Sequence, residues 1–214
     1  MNIKYLNPKE IEERSMEIIS AELKLQHPQE YLPVIKRVIH TTADFEYEKT
    51  LIFSKNAVKN AMSALRSGCT VVTDTNMALQ GINKKALRSC NSSAVCYMSD
   101  ISVIDEAERR SITRAIVSME HAVRMIRRNN LPVVFAIGNA PTALIRLCEL
   151  IRSGKISPAL VIGVPVGFVN VTESKEMLLD TDTEYIVNTG RKGGSTVAAA
   201  ICNALLYGCK QASP

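Results

Sequence analysis

Three histidines and three glycine-bearing turns are the parts of this 214-residue chain whose residue types could do chemistry. His40 closes a predicted helix, with Arg37 a turn earlier and Thr41, Thr42 and Asp44 following. An imidazole placed there either answers the helix dipole or exchanges a proton near neutral pH, and the local sequence leaves both roles open. His27 precedes Pro28 in a predicted surface turn, and His121 follows Glu120 in a basic helix; both read as structural. No Ser-His-Asp order and no metal-ligand spacing stands out, so neither a nucleophilic triad nor a zinc site is expected.

The turns carry the other candidates. Gly138-Asn139-Ala140-Pro141-Thr142 follows an apolar run, with Gly138 permitting close backbone approach and Pro141 setting the first helical turn. Asn139 there can cap the helix or reach a ligand. Gly163-Val164-Pro165-Val166-Gly167-Phe168 is an apolar turn that either floors a cavity or is simply buried. Arg191-Lys192-Gly193-Gly194-Ser195 brings two cations to a Gly-Gly-Ser entry into a helix, where charge, backbone donors and dipole converge on an anion. It lacks P-loop spacing, and no Gly-x-Gly-x-x-Gly occurs, which leaves nucleotide binding weakly supported.

These turns sit in a regular alternation that must position them. Asn7-Pro8-Lys9-Glu10 opens a first helix as N-cap, first-turn proline and capping-box partner. A second helix is predicted over 29–41 and a strand over 45–53. Helix 56–67 then leads to strand 70–73, strand 94–98 to one long helix over 104–129, and strand 133–137 to helix 141–153. Strand 159–164 precedes helix 173–179, and strand 185–188 precedes helix 195–207. Strands alternating with helices predict an α/β fold, a single domain over 1–214 with a mostly parallel sheet flanked by helices on both faces. In such a sheet ligands bind at the carboxyl ends of the strands, where all three turns fall.

Composition narrows the partners. With 46% hydrophobic and 22% charged residues and a mean hydropathy of +0.04, the chain has the makeup of a globular protein. A net charge of +5 suits an anionic small ligand but is too small to mark a nucleic-acid binder, and no Trp is present to stack bases. The longest apolar stretch, 159–169, is interrupted by Gly163, Pro165 and Gly167 and falls short of the roughly 20 residues a membrane span needs. Met1–Glu10 has no apolar stretch behind its charges, so no secretory leader and a cytoplasmic location are expected. The six cysteines, at 69, 90, 96, 148, 202 and 209, form no Cys-x-x-Cys pair and read as buried thiols.

Taken together and in this order, several segments resemble the precorrin-8X methylmutase family, also called cobalt-precorrin-8 methylmutase. They are Glu13-Arg14-Ser15, Arg37-Val38-Ile39-His40, Asp74 with Met77 and Gly81, Thr113-Arg114, and Gly138 to Leu144. The set continues through Gly163 to Val169 with Glu173-Ser174-Lys175 and ends on Arg191 to Ser195, covering nearly the whole chain. Two departures are Thr41-Thr42-Ala43-Asp44 after the His and Asn170 where many relatives carry Gly. The resemblance implies an isomerase of corrin-ring biosynthesis that moves a methyl group from C-11 to C-12 of a tetrapyrrole by a 1,5-sigmatropic shift, without an external cofactor and without a metal of its own. It implies a homodimer with the site near the subunit interface. His40 is then the catalytic residue, and Arg14, Ser15, Thr41, Arg114, Asn139, Thr142, Lys192 and Ser195 are substrate contacts, the cations facing the acid side arms of the corrinoid. Two other readings stay open on sequence alone: a corrinoid carrier that does not transform its cargo, and a nucleotide-dependent α/β enzyme.

Overall fold

The computed structural model describes residues 5–129 and 131–211. Six strands form one sheet in the order β1-β6-β5-β4-β2-β3: β1 Leu51–Phe53, β2 Thr70–Thr73, β3 Ser93–Val95, β4 Val133–Ile137, β5 Leu160–Gly163 and β6 Tyr185–Asn188. All pairings are parallel except β1 with β6, where Leu51 faces Asn188 in antiparallel register. The mostly parallel α/β class is therefore the observed one.

Alternation along each strand divides the core into two layers. Val134, Ala136, Leu160, Ile162 and Ile186 point to one face. There they meet α1 Pro8–Glu22, α2 Leu32–Thr42, α4 Ala57–Arg66 and α11 Ser195–Gln211, together with the short α5 Asn76–Gly81 and α6 Lys84–Ser89. Val133, Phe135, Ile137, Val161 and Val187 point to the other, under α8 Arg114–Asn129, α9 Pro141–Arg152 and α10 Val171–Leu179. The strands carry the apolar side chains that two-sided burial requires, and β2, β4 and β5 are buried along their whole length.

Local signals act where the sequence places them. The Asn7 side chain accepts from the Glu10 N–H at 3.0 Å while the Glu10 carboxylate accepts from the Asn7 N–H at 3.1 Å, closing the capping box of α1. Asn170 precedes α10 at φ +57°, a left-handed conformation that Gly and Asn adopt most readily, so Asn in place of Gly keeps the backbone path. Five of the six cysteines are buried, and burial pushes the Cys148 and Cys202 thiols up to about 12.

Several expected boundaries are corrected. The single helix over 104–129 is two: α7 Ile101–Arg109 and α8, separated by Ser111 at φ +50°. The strand over 45–53 survives only as β1, because the short helix α3 Tyr47–Thr50 occupies its first half. The strand over 94–98 is β3, which ends at Val95, and α5 and α6 fill a stretch the alternation leaves blank.

The order of connections sets the site. From β2 the chain moves through α5 and α6 to β3 on one side, and from β4 it moves through α9 to β5 on the other. The carboxyl ends of β2 and β4 are thus the topological switch point, where the two following loops part and leave a crevice.

Candidate active site at the carboxyl edge of the sheet

Asp74 stands at the end of β2 and fills that crevice. Its carboxylate accepts the backbone N–H groups of Gly138 at 2.9 Å, Asn139 at 2.8 Å and Ala140 at 2.7 Å. The side chain is fully buried. Burial pushes its pKa upward and the three N–H donors oppose that; since each of these contacts is a donor, the group is a carboxylate at the start of α9. The N–H groups at the helix entrance after Gly138 are thus occupied by a side chain of the same chain.

The three expected turns meet. Gly138 has no room for a side chain, since a Cβ would stand 2.7 Å from the Gly194 carbonyl oxygen and 2.8 Å from the Ser195 Cα. The Gly194 N–H donates to the Val164 carbonyl at 3.0 Å, and the Gly167 N–H to the Arg191 carbonyl at 3.2 Å. Gly193, at φ +154°, rests against the Val164 and Pro165 carbonyls, where any Cβ would collide. The turns after β4, β5 and β6 therefore form one backbone-packed platform. Ser195 is fixed on it by a 2.8 Å hydrogen bond between its hydroxyl and that of Thr75.

The remaining candidates are distributed around this platform. Asn139 spends its N–H on Asp74 but leaves its side chain exposed. Thr142, in the first turn of α9, accepts from the Thr113 hydroxyl at 3.1 Å, so the Thr113-Arg114 pair joins the same rim. Arg114 is exposed, its guanidinium reaching the Met98 carbonyl only at 3.5 Å. Lys192 is bound within the chain, its ammonium 2.6 Å from Asp44 Oδ2 and 2.8 Å from Glu46 Oε2. That pairing ties the segment that follows α2 to the β6–α11 turn.

His40 lies in the last turn of α2 with its ring open to solvent. Thr41 turns its hydroxyl back to the Arg37 carbonyl at 2.9 Å. Arg14 and Ser15 lie on α1, which packs against α2; Arg14 is exposed, and the Ser15 hydroxyl donates to the Ile11 carbonyl at 2.7 Å. Neither side chain hydrogen-bonds to the platform. Of the other histidines, His27 lies 3.6 Å from the buried Glu48, and His121 packs its ring 4.8 Å from that of Tyr97.

Sequence reasoning missed two features of the edge. The apolar turn after β5 is buried only at Val164 and Pro165; Phe168 and Val169 are 83% and 76% exposed, and Met77 across the edge is 66% exposed. A run of apolar residues in a loop flanked by glycine was the available signal. The second is Lys175 of α10, buried to 2% exposure beneath the 189–195 turn.

The fold and its edge define a class first: a doubly wound α/β protein whose three glycine-bearing turns pack into one platform beside its switch point. The comparisons then narrow it. The sequence profile of CbiC, precorrin-8X methylmutase, matches residues 10–208, and the chain belongs to that family. The cobalt-precorrin-8 methylmutase of Priestia megaterium is 44% identical over 202 residues, covering 94% of this chain and 88% of its own. That of Salmonella typhimurium is 43% identical, covering 96% and 97%. The crystal structure of precorrin-8X methylmutase from Thermus thermophilus superposes with a TM-score of 0.85 at 36% identity, covering 95% and 97%. The chain is accordingly an isomerase that moves a methyl group within one molecule, and these relatives are named as mutases rather than carriers.

Proposed function

We propose that the substrate is precorrin-8X or cobalt-precorrin-8, that the methyl group passes from C-11 to C-12 of the macrocycle to give hydrogenobyrinate or cobyrinate, and that His40 is the acid that promotes it. The relatives' names supply the substrate class. What supports the site is the pairing of Lys192 with Asp44, which ties the segment just beyond the exposed His40 to the turn that leads into Ser195.

The chemistry asks little beyond binding and polarisation. His40 donates a proton or a strong hydrogen bond to a ring nitrogen of the tetrapyrrole, drawing electron density from the conjugated system as the methyl migrates. The proton returns once the new C–C bond is made, so no net proton or electron is consumed. Exposed Phe168, Val169 and Met77 offer apolar surface to the flat macrocycle, and Arg14 and Arg114 offer charge to its carboxylates. Cobalt, where present, belongs to the substrate. Ser15 and Thr41 complete the proposed contacts, while Lys192 holds the edge together and meets a side arm only by sharing its ammonium with Asp44.

We further propose a homodimer in the cytoplasm. Large apolar side chains left at the rim by one chain support the pairing, since such surface commonly meets a partner. Molar mass in solution measures it directly.

The test of the site is His40→Ala. Folding and corrinoid binding, read from the visible spectrum, are expected to persist while turnover falls by about 10²- to 10⁴-fold. Undiminished turnover removes His40 from the mechanism.

A further inference from the structure

Lys175 is the buried ion for which the proposed chemistry has no use. It lies in the middle of α10, is 2% exposed, and forms no ion pair with a carboxylate among the described residues. Its ammonium instead donates to two backbone carbonyls, Gly190 at 2.8 Å and Lys192 at 2.8 Å. The Lys192 carbonyl also accepts from the Asn188 side-chain amide at 2.8 Å. Both Asn188 and Lys175 are buried, so the β6–α11 turn is gripped from beneath at two points.

That grip reaches further than the turn. Lys192 is held at its carbonyl by Lys175 and at its ammonium by Asp44 and Glu46. A chain of direct contacts therefore runs from α10 through Lys192 to the segment that follows His40. On its other side the turn carries Gly194, packed on Gly138, and Ser195, bonded to Thr75. A buried cation without a counter-ion is costly, and burial pushes the Lys175 ammonium down to about 8. Holding carbonyls alone could be done by an amide at less cost. What an ammonium adds is three donors on one flexible stem, and a fixed charge under a platform that faces an anion.

We propose that Lys175 is a positioning residue for the methyl shift, which through the 189–195 turn fixes Ser195 and the His40 end of α2 relative to the macrocycle. The inference rests on the reading of that edge as the substrate site.

The experiment compares Lys175→Met, which keeps the stem and removes the donors, with Lys175→Arg, which keeps charge and donors. Amide hydrogen exchange over residues 189–195 is followed in the protein without substrate, and kcat and KM are followed with cobalt-precorrin-8. In Lys175→Met the turn amides are expected to exchange about tenfold faster while β4 and β5 stay protected. kcat is expected to fall by about 100-fold, since a displacement on the order of 1 Å costs that much, with a smaller change in KM. Lys175→Arg is expected to recover most of both. Unchanged exchange in Lys175→Met overturns the proposal, as does faster exchange with undiminished kcat. If Lys175→Met does not fold, Lys175→Arg and Lys175→Gln carry the same two readings: support is a kcat that falls in step with loss of turn protection, and refutation is a kcat independent of it. If the wild-type chain leaves cobalt-precorrin-8 unchanged, the substrate reading fails and the proposal with it, while exchange still shows whether Lys175 holds the turn.

Discussion

The ammonium of Lys192 lies 2.6 Å from Asp44 Oδ2, joining positions 148 residues apart in sequence. One partner precedes the N-terminus of α11 and the other follows the C-terminus of α2, so the pair closes the end of the layer that carries His40. The Lys192 hydrogen bond, more than any other contact, holds the Asp44 carboxyl below its ordinary value. A carboxyl with a lowered folded-state pKa stabilises the folded chain above its unfolded value and loses that contribution as pH falls through the lowered one. Asp44→Asn is therefore expected to lower the melting temperature at pH 7 and to match the wild type in acid, where both side chains are neutral. Because Lys192 also pairs with Glu46, Lys192→Ala should cost more than Asp44→Asn, and the double variant little more than Lys192→Ala alone. Additive losses would show that the pair is incidental.

Asp74 offers a sharper measurement, since it is the only partner among the described residues for three N–H groups at the switch point. Asp74→Ala removes three charge-assisted hydrogen bonds and strands the buried Gly138 donor and the part-buried donors of Asn139 and Ala140. A loss of about 3 kcal/mol in urea unfolding is expected, within the range found when buried polar groups lose their partners. Asp74→Asn should fall between, because its amide oxygen still accepts while its NH₂ group faces donors. The same variants should weaken turnover, since the loop they release carries Asn139 and leads directly into Thr142 of α9. Asp74→Ala with wild-type stability would mean that the carboxylate has no structural role at the crevice.

What the sequence disclosed and what it hid divide along the line between local and distant causes. The strands around Phe135 and Ile162 are legible because two-sided burial demands an unbroken apolar run. Asn7 with Glu10 announces the start of α1, and Pro141 the start of α9, because a cap is a contact between neighbours in sequence. The break between α7 and α8 was hidden because apolar spacing continues across it and Ser111, rather than Gly or Pro, takes the left-handed turn. Each of α5 and α6 spans too few residues to show a period, although Thr75 and Asn83 are visible caps. At the site, the glycines of the three turns could be singled out, but not that they pack on one another. Asp74, Lys175 and the partners of Lys192 lay beyond local reading for the same reason: each acts on a segment brought to it only by the sheet.

The buried ammonium of Lys175 makes a prediction of its own about pH, independent of catalysis. Its folded-state value is lowered by burial to about 8, against an ordinary 10.5 in the unfolded chain. Between those values the unfolded chain binds the proton that the folded chain has released, so this group adds stability as pH rises through that window and none below it. The full gain is at most about 3 kcal/mol. Thiols such as Cys148 and Cys202, whose values are raised by burial, work in the opposite direction over part of the same range, so the wild-type curve alone does not isolate the lysine. The difference between wild type and Lys175→Met does, because the thiols are common to both. That difference is expected to move in favour of the wild type from pH 8 to pH 10 in urea unfolding. A difference flat across the window would show that the two carbonyls hold the ammonium at its ordinary value, in which case its burial costs the folded chain nothing.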